Sequence, residues 1–230
     1  MNHQIHFWAV VPAAGVGKRM NADRPKQYLE LGDSTVIEHT LSRLLQAGVF
    51  SAIAVAISEE DPYWPELALS KHEKIITAPG GKERADSVLS GLKSIGDKAN
   101  DDDWVLVHDA ARPCLTSEDI LKLIDVLKND EVGGILALSS HDTLKNVDGD
   151  KILGTLDRRH IWRALTPQMF RFGMLRAALE ATAGDPRITD EASALEIQGF
   201  VPKIVEGRPD NIKITRPEDL ALAQFYMEHQ

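Results

Sequence analysis

Short apolar, β-rich runs alternate with amphipathic stretches along the first 140 residues. Phe7 to Val11, Ala52 to Ile57, Lys74 to Thr77, Trp104 to Val107 and Gly134 to Leu138 read as buried strands. Between them, Val36, Ile37, Leu41, Leu44 and Leu45 trace one face of a helix that Ser34 would cap and that ends near Gly48. Ala85, Val88, Leu89 and Leu92 predict a second helix, and Ile120, Leu123, Ile124 and Leu127 a third. Strand–helix alternation implies a twisted, mostly parallel sheet with helices on both faces, an α/β fold. Ligands of such sheets gather at the carboxyl ends of the strands.

The alternation breaks near Ser139. Thr143 to Val147 and Lys151 to Leu156 flank Asp148-Gly149, a strong hairpin signal. A lone two-stranded hairpin is marginal in water, so this one needs something to pack against. A second copy of the chain is the simplest partner, and the hairpin lying on its own domain is the other. Farther on, Arg171 to Thr182 and Thr189 to Gln198 look helical, while Val201 to Val205 and Asn211 to Ile214 look like strands. Thr215-Arg216-Pro217-Glu218 has capping-box spacing before a last helix carrying Leu220, Ala223 and Met227. With no repeat or linker, the expectation is one domain over residues 1–230 with a β-arm at 139–160.

Composition adds limits. Hydrophobic content of 43% and charged content of 27% are ordinary for a globular chain. No apolar run reaches the roughly 18 residues that span a bilayer, and polar Met1 to His6 offers no cleavage site, so neither membrane segment nor signal peptide is expected. Cys114, the one cysteine, is read as packing and suits a reducing cytoplasm. The end at Gln230 suggests no fused second enzyme. A net charge of −9 argues against a general nucleic-acid surface. Yet Lys18, Arg19, Arg24 and Lys26 face only Asp23 in one short stretch. A basic island on an acidic protein suits a small anionic ligand.

That island follows the first strand, whose end reads Pro12-Ala13-Ala14-Gly15-Val16-Gly17-Lys18-Arg19-Met20. Small residues there let backbone amides approach a phosphate. It is not a dinucleotide fingerprint, because Met20 stands where the third glycine belongs. Nor is it a P-loop, since Arg19 rather than Ser or Thr follows Lys18. Pro25-Lys26-Gln27-Tyr28 adds a second cation beside a proline that limits the entropy lost on ordering it.

These runs, with Gly80-Gly81-x-Glu83-Arg84-x-Asp86-Ser87-Val88, Val107-His108-Asp109-Ala110-Ala111-Arg112-Pro113, Leu165-Thr166-Pro167-Gln168, Thr189-Asp190-Glu191-Ala192-Ser193-Ala194 and Asp210-Asn211-Ile212-Lys213-Ile214-Thr215, occur in one collinear order. Together they resemble the 2-C-methyl-D-erythritol 4-phosphate cytidylyltransferases from about Phe7 to Tyr226. The resemblance implies a Rossmann-like nucleotidyltransferase fold, CTP and a sugar-alcohol phosphate as substrates, Mg2+ as cofactor, and a cytoplasmic homodimer joined by the arm. It implies catalytic roles for Arg19 and Lys26, and a CTP site of Pro12, Ala13, Ala14, Gly15, Gly81, Lys82, Ser87 and Ala110. Lys82 departs from the family's usual acidic residue. Asp109 would hold the metal with help from Asp210. Arg112, Thr143, Arg158, Thr166 and Lys213 would hold the acceptor phosphate, Thr143 and Arg158 across the dimer interface, although by the residues alone Arg112 could instead pair with Asp109 or Asp210. By the residues alone, a strand-end aspartate such as Asp109 is equally a helix cap, and His108, lacking a second histidine at metal spacing, is structural. A ribitol-5-phosphate cytidylyltransferase and a non-catalytic nucleotide sensor on the same fold remain as rivals.

Overall fold

The computed structural model describes residues 4–15, 20 and 23–230. Eleven strands occur among the described residues: β1 (Phe7–Pro12), β2 (Glu30–Leu31), β3 (Ser34–Thr35), β4 (Phe50–Ile57), β5 (Ile75–Pro79), β6 (Trp104–Val107), β7 (Gly133–Ser139), β8 (Lys145–Asp148), β9 (Lys151–Thr155), β10 (Trp162–Arg171) and β11 (Lys203–Glu206). Six α-helices join them: α1 (Val36–Gln46), α2 (Arg84–Ile95), α3 (Ser117–Leu127), α4 (Phe172–Ala181), α5 (Glu191–Ile197) and α6 (Glu218–Glu228). The main sheet has seven strands in the order β11-β7-β10-β6-β1-β4-β5. All run parallel except β10, which is antiparallel to both β6 and β7.

The two-residue period of the strands sorts their side chains onto two faces. Ala9 and Val11 of β1, with Trp104 and Leu106 of β6, pack with Ile37, Leu41 and Leu44 of α1 and Ile120, Leu123 and Leu127 of α3. Trp8, Val10, Val105 and Val107 face the other way, onto Val88, Leu92 and Ile95 of α2 and Leu175, Leu179 and Leu195 of α4 and α5. Each fully buried leucine or isoleucine contributes about 1.5–3 kcal/mol relative to exposure. A third cluster joins Met20, Leu31, Val36, Ala111, Cys114, Ile214 and Ala223, and so ties the first loop and α6 to the segment after β6. Cys114 is buried there as a packing residue.

Several expectations shift by a residue or change type. The cap of α1 is Thr35, not Ser34: its side chain accepts from the Glu38 amide while Glu38 bonds back, a reciprocal pair worth about 1 kcal/mol. Ser34 is instead paired in the small β2–β3 ribbon. At the last helix Thr215 bonds Asp219 rather than Glu218. Asn211 to Ile214 is not a strand, because its groups bond to the chain beneath it, Ile214 through its amide to the Ala111 carbonyl. The hairpin forms around Asp148-Gly149, with Gly149 at φ 58°, a conformation glycine adopts without strain. Every residue of β8 and β9 is exposed.

Candidate active site

The carboxyl ends of the parallel strands build a cleft of about 200 Å³. Its floor is the turn after β1. Ala13 donates its amide to the Ala56 carbonyl at 2.7 Å, and Gln27 donates to the carbonyls of Ala13 (2.6 Å) and Gly15 (3.1 Å). A buried glutamine thus pins the loop from below. The neighbouring wall is the turn after β5. A Cβ on Gly80 would stand 2.2 Å from the Ala14 Cβ, and one on Gly81 would stand 2.1 Å from the Asp86 Cβ. Gly80 lets the two loops meet, and Gly81 lets its own turn close on the first residues of α2. Gly81 donates its amide to Ser87 Oγ at 3.0 Å, so buried Ser87 holds the turn as well as lining the cleft. Lys82 is exposed at the rim.

Asp109 follows β6 and lines the same cleft with Ala110 and Lys213. Three cations converge on its carboxylate: Arg84 Nε at 2.9 Å, Lys213 Nζ at 2.9 Å and Arg112 Nε at 3.4 Å. Burial alone would raise its pKa, but these charges outweigh burial and hold the group well below the usual carboxylate range. Lys26 also lines the cleft and donates to the Ile214 carbonyl at 2.8 Å. Asp109 also donates its amide to Thr166 Oγ1 at 3.1 Å, and that hydroxyl lies 2.9 Å from His108 Nδ1. His108 Nε2 lies 3.1 Å from the Arg112 carbonyl. If Thr166 accepts from the amide, it donates to Nδ1, and the imidazole carries its proton on Nε2. Burial pushes this histidine down to about 4, so it is neutral near pH 7.

A second cavity, about 230 Å³, is lined by Arg112, Thr166 and Gln168 and shares Arg84, Asp109 and Lys213 with the first. Two cavities therefore meet at one charged wall.

Of the residues expected at the site, Pro12, Ala13, Ala14, Gly15, Lys26, Gly81, Lys82, Ser87, Asp109, Ala110 and Lys213 line the first cleft, and Arg112 and Thr166 line the second. Arg19, with Lys18 of the basic island, lies outside the described residues. Asp210 lines neither cavity. Its carboxylate is taken by Arg208 (3.0 and 2.5 Å) and by Gln230 (3.2 Å). Thr143 and Arg158 are exposed on the arm, where Arg158 bonds the His141 carbonyl. Gln27 and Arg84, which line the first cleft, and Glu191, which pairs with Arg84, lie outside the expected set.

The family profile described as 2-C-methyl-D-erythritol 4-phosphate cytidylyltransferase matches residues 7–229. The chain belongs to this family. Among its curated members, the protein of Pseudomonas entomophila is 54% identical over 217 residues, covering 93% of this chain and 92% of that one. The Vibrio vulnificus protein is 52% identical over 224 residues, covering 96% and 94%. Of solved structures, the chain is similar to a 4-diphosphocytidyl-2C-methyl-D-erythritol synthase at a TM-score of 0.85 and 35% identity, covering 98% of this chain and 100% of that one. The Francisella tularensis member of the family gives 0.84 and 38%, over 96% and 99%. As in the family's nucleotidyltransferase fold, the sheet is mostly parallel and flanked by helices, with the hairpin added.

Proposed function

We propose that this chain transfers a cytidylyl group from CTP to 2-C-methyl-D-erythritol 4-phosphate, with release of pyrophosphate. One observation carries the reading beside the family membership: two cavities, one floored by small-residue loops and one lined by Arg112 and Thr166, share the wall formed by Arg84, Asp109 and Lys213. Such a wall brings two anions together.

The acceptor phosphate would attack the α-phosphorus of CTP in line. A new P–O bond forms as the bond to the pyrophosphate oxygen breaks. A phosphate monoester has its second pKa near about 6, so at neutral pH it is already a dianion and needs no general base. The obstacle is repulsion between anions, so catalysis is positioning and charge neutralisation. Lys26, which lines the first cleft, would face the triphosphate and neutralise the charge that grows in the transition state, the role that the resemblance also implies for Arg19. Pro12, Ala13, Ala14 and Gly15 offer main-chain contacts, while Gly81, Lys82, Ser87 and Ala110 surround the nucleoside. Arg112, Thr166 and Lys213 bind the acceptor phosphate, where arginine's planar fork suits its oxygens.

The residues fit Mg2+, which takes one or two carboxylates plus phosphate oxygens. Asp109 is always ionised here. Glu83, the other acid lining the first cleft, caps its own helix. Asp190 in the second is committed to Ser193 and Gln168. Asp109 would therefore hold the ion, and Asp210 would join it only by leaving Arg208. Bound there, the cation would offset charge on the triphosphate and the departing pyrophosphate.

The arm completes the picture. Ile152 and Leu153 are 65% and 64% exposed, and Val147 and Leu156 also stand in solvent. We assign this face to a second copy of the chain, which would place the partner's Thr143 and the partner's Arg158 at the second cavity. A cytoplasmic location accords with the one buried thiol, and no helix among the described residues is long and apolar enough to cross a membrane.

Pyrophosphate release from CTP and Mg2+, measured with methylerythritol phosphate and ribitol 5-phosphate in parallel, tests the reading. Faster release with the former is the expected result. Preference for ribitol 5-phosphate, or no release with either, would overturn it.

A further inference from the structure

Behind Asp109 lies a second buried carboxylate that the reaction as described does not use. Glu191 opens α5 and is 1% exposed. Its Oε1 and Oε2 accept from Arg84 Nη1 and Nη2 at 2.5 and 3.1 Å, and the Nε–H of the same guanidinium donates to Asp109 Oδ1 at 2.9 Å. One planar fork is thus gripped from behind on two nitrogens and presents a third to the cleft.

The other two cations on Asp109 are held differently. Lys213 is 36% exposed and meets Oδ2 through a flexible stem. Arg112 meets Oδ2 at a long 3.4 Å, and its Nη1 is committed to the Asn211 carbonyl at 2.7 Å. Among the described residues, Arg84 is the cation that meets Oδ1. The two oxygens of Asp109 therefore have different jobs. One is anchored by a donor fixed from the protein interior; the other faces groups that the acceptor phosphate can claim.

Stability gives a weak reason for such a pair. Replacing a buried ion pair by apolar side chains of similar volume is often neutral or stabilising, whereas removing one partner alone is costly. A fixed orientation for the carboxylate beyond it is a stronger reason, since groups behind a metal ligand set its direction and basicity.

We propose that Glu191, acting through Arg84, is a positioning residue for Asp109. Its buried two-pronged grip fixes the Arg84 Nε–H, and that donor holds Asp109 in the orientation that receives the metal-bound triphosphate. The inference rests on the reading of Asp109 as the carboxylate that holds the metal.

Calorimetric titration of CTP into the Glu191→Gln protein, with and without MgCl2, tests it alongside the melting temperature. The ratio of the Kd without Mg2+ to the Kd with Mg2+ should fall on the order of tenfold, while the metal-free Kd moves by no more than about twofold. An unchanged ratio in a folded variant would overturn the proposal. So would equal weakening of both constants, which marks a role confined to packing α5 against α2. If Glu191→Gln does not fold, Arg84→Lys carries the same expectation, because a point charge on a flexible stem cannot grip Glu191 and reach Asp109 together. Asp109→Asn separates the two layers. If it keeps the metal-dependent gain, the metal reading fails and the inference with it; if it loses the gain while Glu191→Gln and Arg84→Lys keep it, the positioning role alone fails.

Discussion

The cleft and the arm are built on opposite principles. In the cleft nearly every polar group has a partner from elsewhere in the same chain: Gln27 under Ala13 and Gly15, Ser87 under Gly81, Thr166 under Asp109. Its loops meet where no side chain could fit. On the arm, β8 and β9 pair with each other, every residue of both is exposed, and large apolar side chains point into solvent. The contrast teaches where each half of the site comes from. On our reading, nucleotide recognition is preorganised by one chain, whereas acceptor recognition is finished by a neighbour.

The largest effect should come from the cleft. Lys26→Ala removes a cation of the cleft that, on our reading, faces the triphosphate, and should lower kcat by roughly 10²–10³-fold, by analogy with loss of one oxyanion-hole donor. Far-UV circular dichroism should show the fold retained. Near-normal turnover would deny the cleft its catalytic part.

A smaller loss belongs to the arm. Arg158→Ala should raise KM for the acceptor about 10–100-fold, the value of one charge-assisted hydrogen bond, with KM for CTP unchanged. Mixing it with Lys26→Ala sharpens the comparison. If the partner's Arg158 serves each site, equal mixtures that exchange subunits should regain about a quarter of the intact sites. No recovery on mixing would return the arm to its own chain.

The mildest effect is on pH and stability, and it lies beneath the cleft. His108 is held down at about 4 by burial, against an ordinary value near 6.5. Below about pH 6.5 the unfolded chain takes up a proton that the native one refuses, so stability falls as pH drops from there towards 4. The loss by pH 5 should be about 2 kcal/mol. Urea midpoints at pH 7 and pH 5 would show it, and His108→Asn should flatten that dependence while lowering stability at both values. An equal pH dependence in the variant would remove His108 as its source.

What could be read in the residues divides along physical lines. Strands of the parallel core were legible because both faces are buried and the runs are apolar throughout, as at Trp104 to Val107. The end of that strand located Asp109, and Asp148-Gly149 located the hairpin. β10 was not legible. Pro167 offers no amide to a ladder, Thr166 and Gln168 break any apolar run, and the register shifts between Ala164 and Gln168 to accommodate them. The Asn211 to Ile214 run carries strand-like residues, but it packs beneath the site through local bonds. The Arg84–Glu191 pair joins residues 107 positions apart. No local pattern reports a contact between two helix starts on different strands' loops, and so the support behind Asp109 emerged only with the fold. The carboxylate pair at Asp109 and Asp210 shows the reverse case: the residues alone cannot tell which one Arg208 claims.

A crystal structure with CTP and Mg2+ bound tests the central claim most directly. We expect the triphosphate along the turn from Pro12 to Lys26, the base against Gly81 and Ser87, and the ion at about 2.0–2.1 Å from an Asp109 oxygen. A triphosphate seated away from that turn, with no cation on Asp109, would contradict the account.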